Sequence, residues 1–492
     1  MNGQLIGVDG KPLTSRHEKT RRSLLAKYDA AQTTPGNRRH WEMADLLSPR
    51  EANNPAVRQT LRSRSRYEVG NNSFASGIIR SLVNDIVGRG PRLQIDIEDG
   101  KAKQQIEQRF RNWWRRARMT RQLRTAKMSQ FVDGETFIHA ATNPRIADRC
   151  QLACRVTEAD QITNPSLAVN DPKHDDGIHF DDFDNPVRYE RLKHHPGDAY
   201  GYSLDDFEPV PAEQMIHLFR HDRPGVRRGI PVITPALPLF GLMRRYTLAV
   251  VRCAEHAAHF SGIFYTDHPN LDSPEQVDPL DEIEVEMGMF MTLPEGWKMG
   301  QLKAEQPVQV FEMFRNAIVL EIARCVLMPK NKALGDSGGY NLASGKLDFT
   351  GYSDMLRVER DDLEIEVADR IFQWWLDEAL LIPGYLPTLP TFPDGVPHSW
   401  IWDQPKPADE LKAANAAKVL WEMGLMTDEE YLRQTGKDPD THYQELQRQR
   451  ERREALGLPL PGQSGATSEM IEDEDIDDEE QTAAEEKEGV AA

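Results

Sequence analysis

Residues 215–237 read MIHLFRHDRPGVRRGIPVITPAL, and a change of pattern inside them decides how the chain is built. MIHLF closes a series of short, strand-like runs. Arg223 to Pro231 is a Pro/Gly/Arg segment with no apolar period. From Pro235 the pattern turns helical: Leu239, Leu242, Met243, Tyr246, Val250, Cys253, Ala257 and Phe260 form one stripe over 235–261. At 1.5 Å per residue that helix runs roughly 40 Å. The 14-residue run IPVITPALPLFGLM holds three prolines and is too short for a bilayer span, so it reads as a buried turn leading into the helix.

Upstream, ETFIHAAT (135–142), CRVTEADQI (154–162) and GIHFDDFDNPVRYERL (177–192) predict an antiparallel sheet over 135–220. Before it, Phe74, Ile78, Ile79, Leu82, Val83, Ile86 and Val87 recur at helical spacing and Gly88 stops them. The basic segment 101–132 is helical as well. Its functional reading is a nucleic-acid patch; its structural reading, preferred here, is a solvated face over a core of Phe110, Trp113 and Trp114. Downstream, a β-like excursion separates the first stripe from a second over 307–328, made of Phe311, Phe314, Ile318, Ile322, Cys325 and Val326. Two long helices bracketing a small β module describe a rod with a knob at its far end. A Gly/Ser loop (335–345), a third long helix through 352–380, a Pro-rich stretch (383–407) and a helical C-terminal block with a Thr427-x-x-Glu430 capping box complete the chain.

The net charge of −19 is uneven: beyond residue 460 there are 12 acids and one lysine, leaving −8 for the rest. Such a tail, with almost nothing to bury, is expected to be disordered. A mildly acidic body argues against a tight phosphate binder. Four cysteines (Cys150, Cys154, Cys253, Cys325) suggest a reducing compartment, and the N-terminus has no apolar signal region. Cys150-x3-Cys154 lacks zinc-knuckle spacing and reads as buried free thiols. His256 and His259 lack a third ligand, so no metal or cofactor is expected.

The run Gly335-Asp336-Ser337-Gly338-Gly339 matches the nucleophile segment of trypsin-like proteases, and Ala257-Ala258-His259 echoes their histidine motif. But His259 sits in a helical stripe, whereas that reaction needs a base and an orienting aspartate on a two-barrel β fold. A serine hydrolase using Ser337 is therefore set aside, and no catalytic residue is assigned.

Several stretches, in order, resemble the lambda family of phage portal proteins. GNNSFASGIIRSLVNDIVGRGPRLQ (70–94) carries its Asn71-Asn72 and Gly88 positions. The 215–237 segment places His217, Arg223, Pro224, Gly225, Arg228, Gly229 and Pro231. YNLASGKLDF (340–349) and ADELKAANAAKVLWEMGLMTDEEYLRQTGKD (408–438) follow. Ala408, where an aspartate–proline pair is common, and the glycine-rich 335–339 depart from the pattern.

The resemblance implies an α+β portal fold, the subunit of a cyclic ring. It would comprise a flexible arm (1–24), an α/β wing (25–230 and 346–404) and a two-helix stem (231–262 and 306–330). A small β-containing clip (263–305), a tunnel loop (331–345), a helical crown (405–460) and the acidic tail (461–492) complete it. It further implies a non-enzymatic virion component, assembled in the host cytoplasm and twelve-fold in the virion. Its partners would be double-stranded DNA, the terminase large subunit, head-completion or adaptor proteins, and the major capsid and scaffold proteins. On this reading Lys330, Lys332, Asp336, Ser337, Tyr340 and Lys346 lie on the DNA-facing loop. Asp278, Asp281, Glu282, Glu284 and Glu286 are the clip acids expected to meet the terminase.

Overall fold

The structure, a computed structural model, describes residues 34–164, 171–199, 206–259, 263–266, 297–300, 308–338, 342–388, 390, 392–393, 395–403 and 410–459. The expected arm (1–24), the acidic tail, the five clip acids and Tyr340 lie outside the described residues, as do the side chains of His256 and His259.

Two helices open the body. In α1 (Pro55–Asn71), Asn54 caps the first turn and proline takes its first position. Asn72 caps α2 (Ser73–Val87), accepting from the N–H groups of Phe74 and Ala75 at 3.0 and 3.4 Å. Ile78, Ile79, Leu82, Val83, Ile86 and Val87 are buried, as their spacing demands. Gly88 ends the helix at φ 51°, a conformation costly for any residue with a Cβ.

After strand β1 (Arg92–Ile95), helices α3 (Gly100–Arg116) and α4 (Met119–Asp133) carry the basic stretch. Its apolar side is core. Phe110 meets Phe372 and Trp375 edge-on at 5.6 and 5.1 Å, while Arg111, Arg115, Arg118 and Arg121 face water.

The expected sheet resolves into two, both antiparallel. One has the order β3-β2-β8, from β2 (Glu135–Thr142), β3 (Leu152–Thr157) and β8 (Met215–Phe219). The other runs β4-β5-β6-β7, from β4 (His174–Asp175), β5 (Ile178–Phe180), β6 (Pro186–Leu192) and β7 (Phe207–Pro211). Alternation along a strand says which residues share a face, but it does not choose the hydrogen-bonded neighbour. β8 returns beside β2 across more than fifty intervening residues, pairing Glu135 with Phe219 and Phe137 with His217.

A 3₁₀ turn (Thr234–Ala236) leads into α5 (Leu237–His259), which lies within the helical stripe expected over 235–261. Its partner is α6 (Val308–Arg324), with Tyr246 stacked on Phe311 at 5.7 Å and near Phe314 at 4.5 Å. The stripes are only partly covered. Phe240, Met243, Ile318 and Ile322 are buried, whereas Leu242, Cys253 and Phe314 are exposed. Two helices paired with each other can bury one side apiece, and deeper burial waits for the body. Between them, β9 (Ile263–Thr266) and β10 (Trp297–Gly300) pair antiparallel.

Helix α7 (Lys330–Leu334) precedes the Gly/Ser segment, and α8 (Leu342–Leu363) takes up the end of the expected 335–345. A π-helical turn (Glu364–Ala368) joins α8 to α9 (Asp369–Leu381), and β11 (His398–Ile401) then pairs with β1. The described residues before 220 and those after 342 are therefore joined in one body. The last helices are α10 (Glu410–Glu422), α11 (Asp428–Gln434) and α12 (Pro439–Ala455), with Thr427 capping α11 as predicted. Lys103 on α3 bonds Asp440 at 2.5 Å, which holds α12 to the body. No described helix is long and apolar enough to cross a membrane.

Candidate functional site

Glu135, the first residue of β2, has no exposed surface. A buried carboxylate is tolerable only where donors surround it. Arg228 Nε donates to Oε1 and Oε2 at 2.9 Å each, Arg62 donates to Oε1, and the Gly229 N–H reaches Oε2 at 3.1 Å. His217 Nε2 lies 2.9 Å from Oε2 and must donate, because an ionised carboxylate only accepts. Burial opposes the charge on Glu135, but Arg228 and Arg62 overcome it and hold the carboxyl well below its usual range. For His217 burial wins: its pKa is lowered despite Glu135, so the ring is neutral at pH 7.

The cluster extends through α1. Arg58 donates to Asp176 at 2.6 Å, Arg62 to Asp160 at 3.0 Å, and Arg66 to Asp133 and Asp160 at 2.6 Å each. Four guanidinium groups (Arg58, Arg62, Arg66, Arg228) thus meet four carboxylates (Asp133, Glu135, Asp160, Asp176). Arg228 also donates to the Asp176 carbonyl at 2.6 Å, and its own carbonyl accepts from Asn53 at 2.7 Å. The arrangement is built from mutual ion pairs between these groups. It ties α1, β2, both sheets and the strap before α5 to one point. Glu158, Asp160 and His195 approach closely enough to suggest a cation site, but Arg66 already lies between the two acids, 3.3 Å from Glu158.

A smaller cluster sits beside the Gly/Ser segment. Asp85 on α2 accepts from Lys332 Nζ on α7 and from the Tyr352 hydroxyl on α8, the latter at 2.8 Å. The Lys332 ammonium also lies over the Tyr352 ring, 4.9 Å from its centre. Burial, then Asp85, pushes the Tyr352 pKa up. Arg360 donates to the carbonyls of Asp85 and Ile86, satisfying the C-terminal end of α2.

A family model described as phage portal protein, lambda family, matches residues 35–360. The chain belongs to that family. It is 24% identical over 455 residues to a probable portal protein of Halomonas phage phiHAP-1, spanning 86% of each chain. It is also similar to a chain from the neck of a native GTA particle computed with C12 symmetry, at 14% identity and TM-score 0.44, covering 83% of this chain and 95% of that one. A chain from the neck of an empty GTA particle computed with C6 symmetry gives 14% identity, TM-score 0.47 and the same coverage.

In this portal-family chain the motif residues fall into three groups. His217, Arg228 and Gly229 converge on Glu135. Arg223 donates to the Leu47 carbonyl at 2.9 Å, with Pro224 and Gly225 in the turn beside it and Pro231 leading to α5. Asn71, Asn72 and Gly88 close helix ends, and the Asn71 carbonyl accepts from Arg244 of α5 at 3.3 Å. Sequence reasoning missed Glu135, Arg62, Asp85 and Tyr352. A lone Glu in VDGETF carries no signal, because its partner Arg228 lies 93 residues further along the chain.

The loop residues are not equivalent. Lys330, Asp336, Ser337 and Lys346 are exposed, whereas Lys332 is ion-paired to Asp85. Lys330 and Lys332 lie on the separate helix α7, past the end of α6. Cys150 and Cys154 are buried free thiols whose pKa burial raises to about 12.

Proposed function

We propose that the chain is the subunit of a ring-shaped portal at one capsid vertex, a non-enzymatic virion component. DNA packaged by a docked terminase enters through its channel and later leaves, and head-completion and tail proteins assemble on it. The observation that carries this reading is the family match across 35–360. Uncovered apolar side chains support a ring. Leu242 and Val251 on α5, Phe314 on α6, and Leu347 and Val358 on α8 are between 44 and 74% exposed in the single chain. A head-to-tail interface closing on an axis would cover them.

On this reading α5 and α6 are the stem and the excursion between them is the clip. The body built from 25–230 and 346–404 is the wing, α10 to α12 are the crown, and the segment after α7 is the tunnel loop. Twelve copies are proposed for the virion, with assembly in the host cytoplasm alongside the major capsid and scaffold proteins. The clip acids Asp278, Asp281, Glu282, Glu284 and Glu286 are proposed to meet the terminase. A mildly acidic wall lets a polyanion slide without many fixed phosphate contacts.

Negative-stain images of the purified chain test this directly. Rings with a central hole are expected; a monodisperse monomer at micromolar concentration would refute it.

A further inference from the structure

We propose that Asp85 divides the lysines of α7 and α8 into two kinds: Lys332 clamps α7 against α2 and α8, and only Lys330 and Lys346 are left to contact duplex DNA. This rests on the portal reading for the identity of the polyanion, and on the geometry alone for the positioning role.

One carboxylate grips both helices. Lys332 lies on α7 and Tyr352 on α8, and both donate to Asp85 on α2. The site is pinned from behind, because Arg360, two turns along α8 from Tyr352, holds the Asp85 and Ile86 carbonyls at 2.8 and 3.0 Å. Arg360 in turn lies over the Trp402 ring at 5.4 Å. Contacts to α2, in the wing, therefore tie α7 and α8 together.

The electrostatic consequence is specific. The charge of Lys332 is matched by Asp85 at contact distance and its ammonium lies 4.9 Å from the centre of the Tyr352 ring. Releasing it to a phosphate would strand Asp85 beside a buried tyrosine. Lys330 and Lys346 are exposed and make no ion pair among the described residues. A phosphate contact releases condensed counterions, and each such lysine steepens the dependence of binding on salt.

The experiment uses the full-length protein, a short DNA duplex titrated at several salt concentrations, and amide hydrogen exchange. Lys330→Gln and Lys346→Gln should each flatten the slope of log K against log salt. Lys332→Gln should leave it unchanged while raising exchange in 330–334 and 350–356. Asp85→Asn should raise the same exchange and steepen the slope, since it frees Lys332. Tyr352→Phe keeps the ring packing and should give a smaller rise in exchange. A Lys332→Gln slope as flat as that of Lys330→Gln, duplex binding by none of the proteins, or unchanged exchange in Asp85→Asn would each overturn the proposal. Failure to form rings would count against the portal reading alone, because the exchange arm reads the clamp within one subunit.

Discussion

Glu135 keeps its charge in a fully buried position because Arg228, Arg62, His217 and the Gly229 N–H all point at it. Glu135→Gln would turn an amide donor toward buried guanidinium groups and leave them uncompensated. Loss of one partner from a buried pair costs about 3–5 kcal/mol, which urea denaturation of the variant should report. The pH dependence has a definite sign. The folded pKa of Glu135 is depressed, as are those of Asp160 and Asp176. Their contribution is therefore present above the unfolded carboxylate pKa of about 4 and lost as pH falls through the depressed values. His217 acts in the same direction. Its folded pKa is lowered, so the unfolded chain takes up its proton first and stability declines below about 6.5. Denaturation midpoints should fall between pH 4 and 3 as these carboxylates are protonated; a midpoint that rose over that interval would contradict these assignments.

Among the elements, the strap between β8 and α5 meets the start of β2 backbone to backbone. Gly134 takes φ 91° with Ile230 where a Cβ would stand, and a Cβ on Gly229 would overlap the Gly134 carbonyl. Neither neighbour is a side chain that can swing away. Gly229→Ala should cost more than the roughly 3 kcal/mol of ordinary overpacking and leave the protein insoluble or monomeric; soluble rings from this variant would show that the contact yields. The packing of α3 against α9 offers a finer comparison. Trp113 and Trp375 are both fully buried, but Trp113 Nε1 donates to the Leu152 carbonyl at 3.0 Å, and Trp375 Nε1 has no partner among the described residues. Trp113→Phe should therefore destabilise by about 1 kcal/mol more than Trp375→Phe in matched thermal or urea melts.

For the whole molecule, the proposed ring asks each subunit to present two unlike faces, and the uncovered apolar residues of α5, α6 and α8 supply the reason to associate. The acidic tail has no apolar stripe to bring to that association. A chain ending at residue 462 should still assemble, judged by sedimentation and negative stain. If it stays monomeric, the tail belongs to the assembled fold.

Much of this molecule is legible in local pattern. Spacing of 3.6 residues marks α2, α3, α5 and α6, Gly88 announces a helix end and Thr427 a helix start, and the ordered motifs identify the family, because these signals act between residues close in the chain. The same locality explains what was hidden. A strand's alternation does not say that β8 pairs with β2 or β11 with β1, so one expected sheet became two and the β1–β11 pair went unforeseen. A helical stripe does not say how far its neighbours extend, so Leu242 and Phe314 turned out exposed. The sequence showed three lysines near the Gly/Ser segment and could not tell them apart. Only the fold brings Asp85, more than two hundred residues earlier, against Lys332, just as it sets Arg228 on Glu135. Charge is written in the sequence, but the partner that neutralises it is chosen by long-range packing.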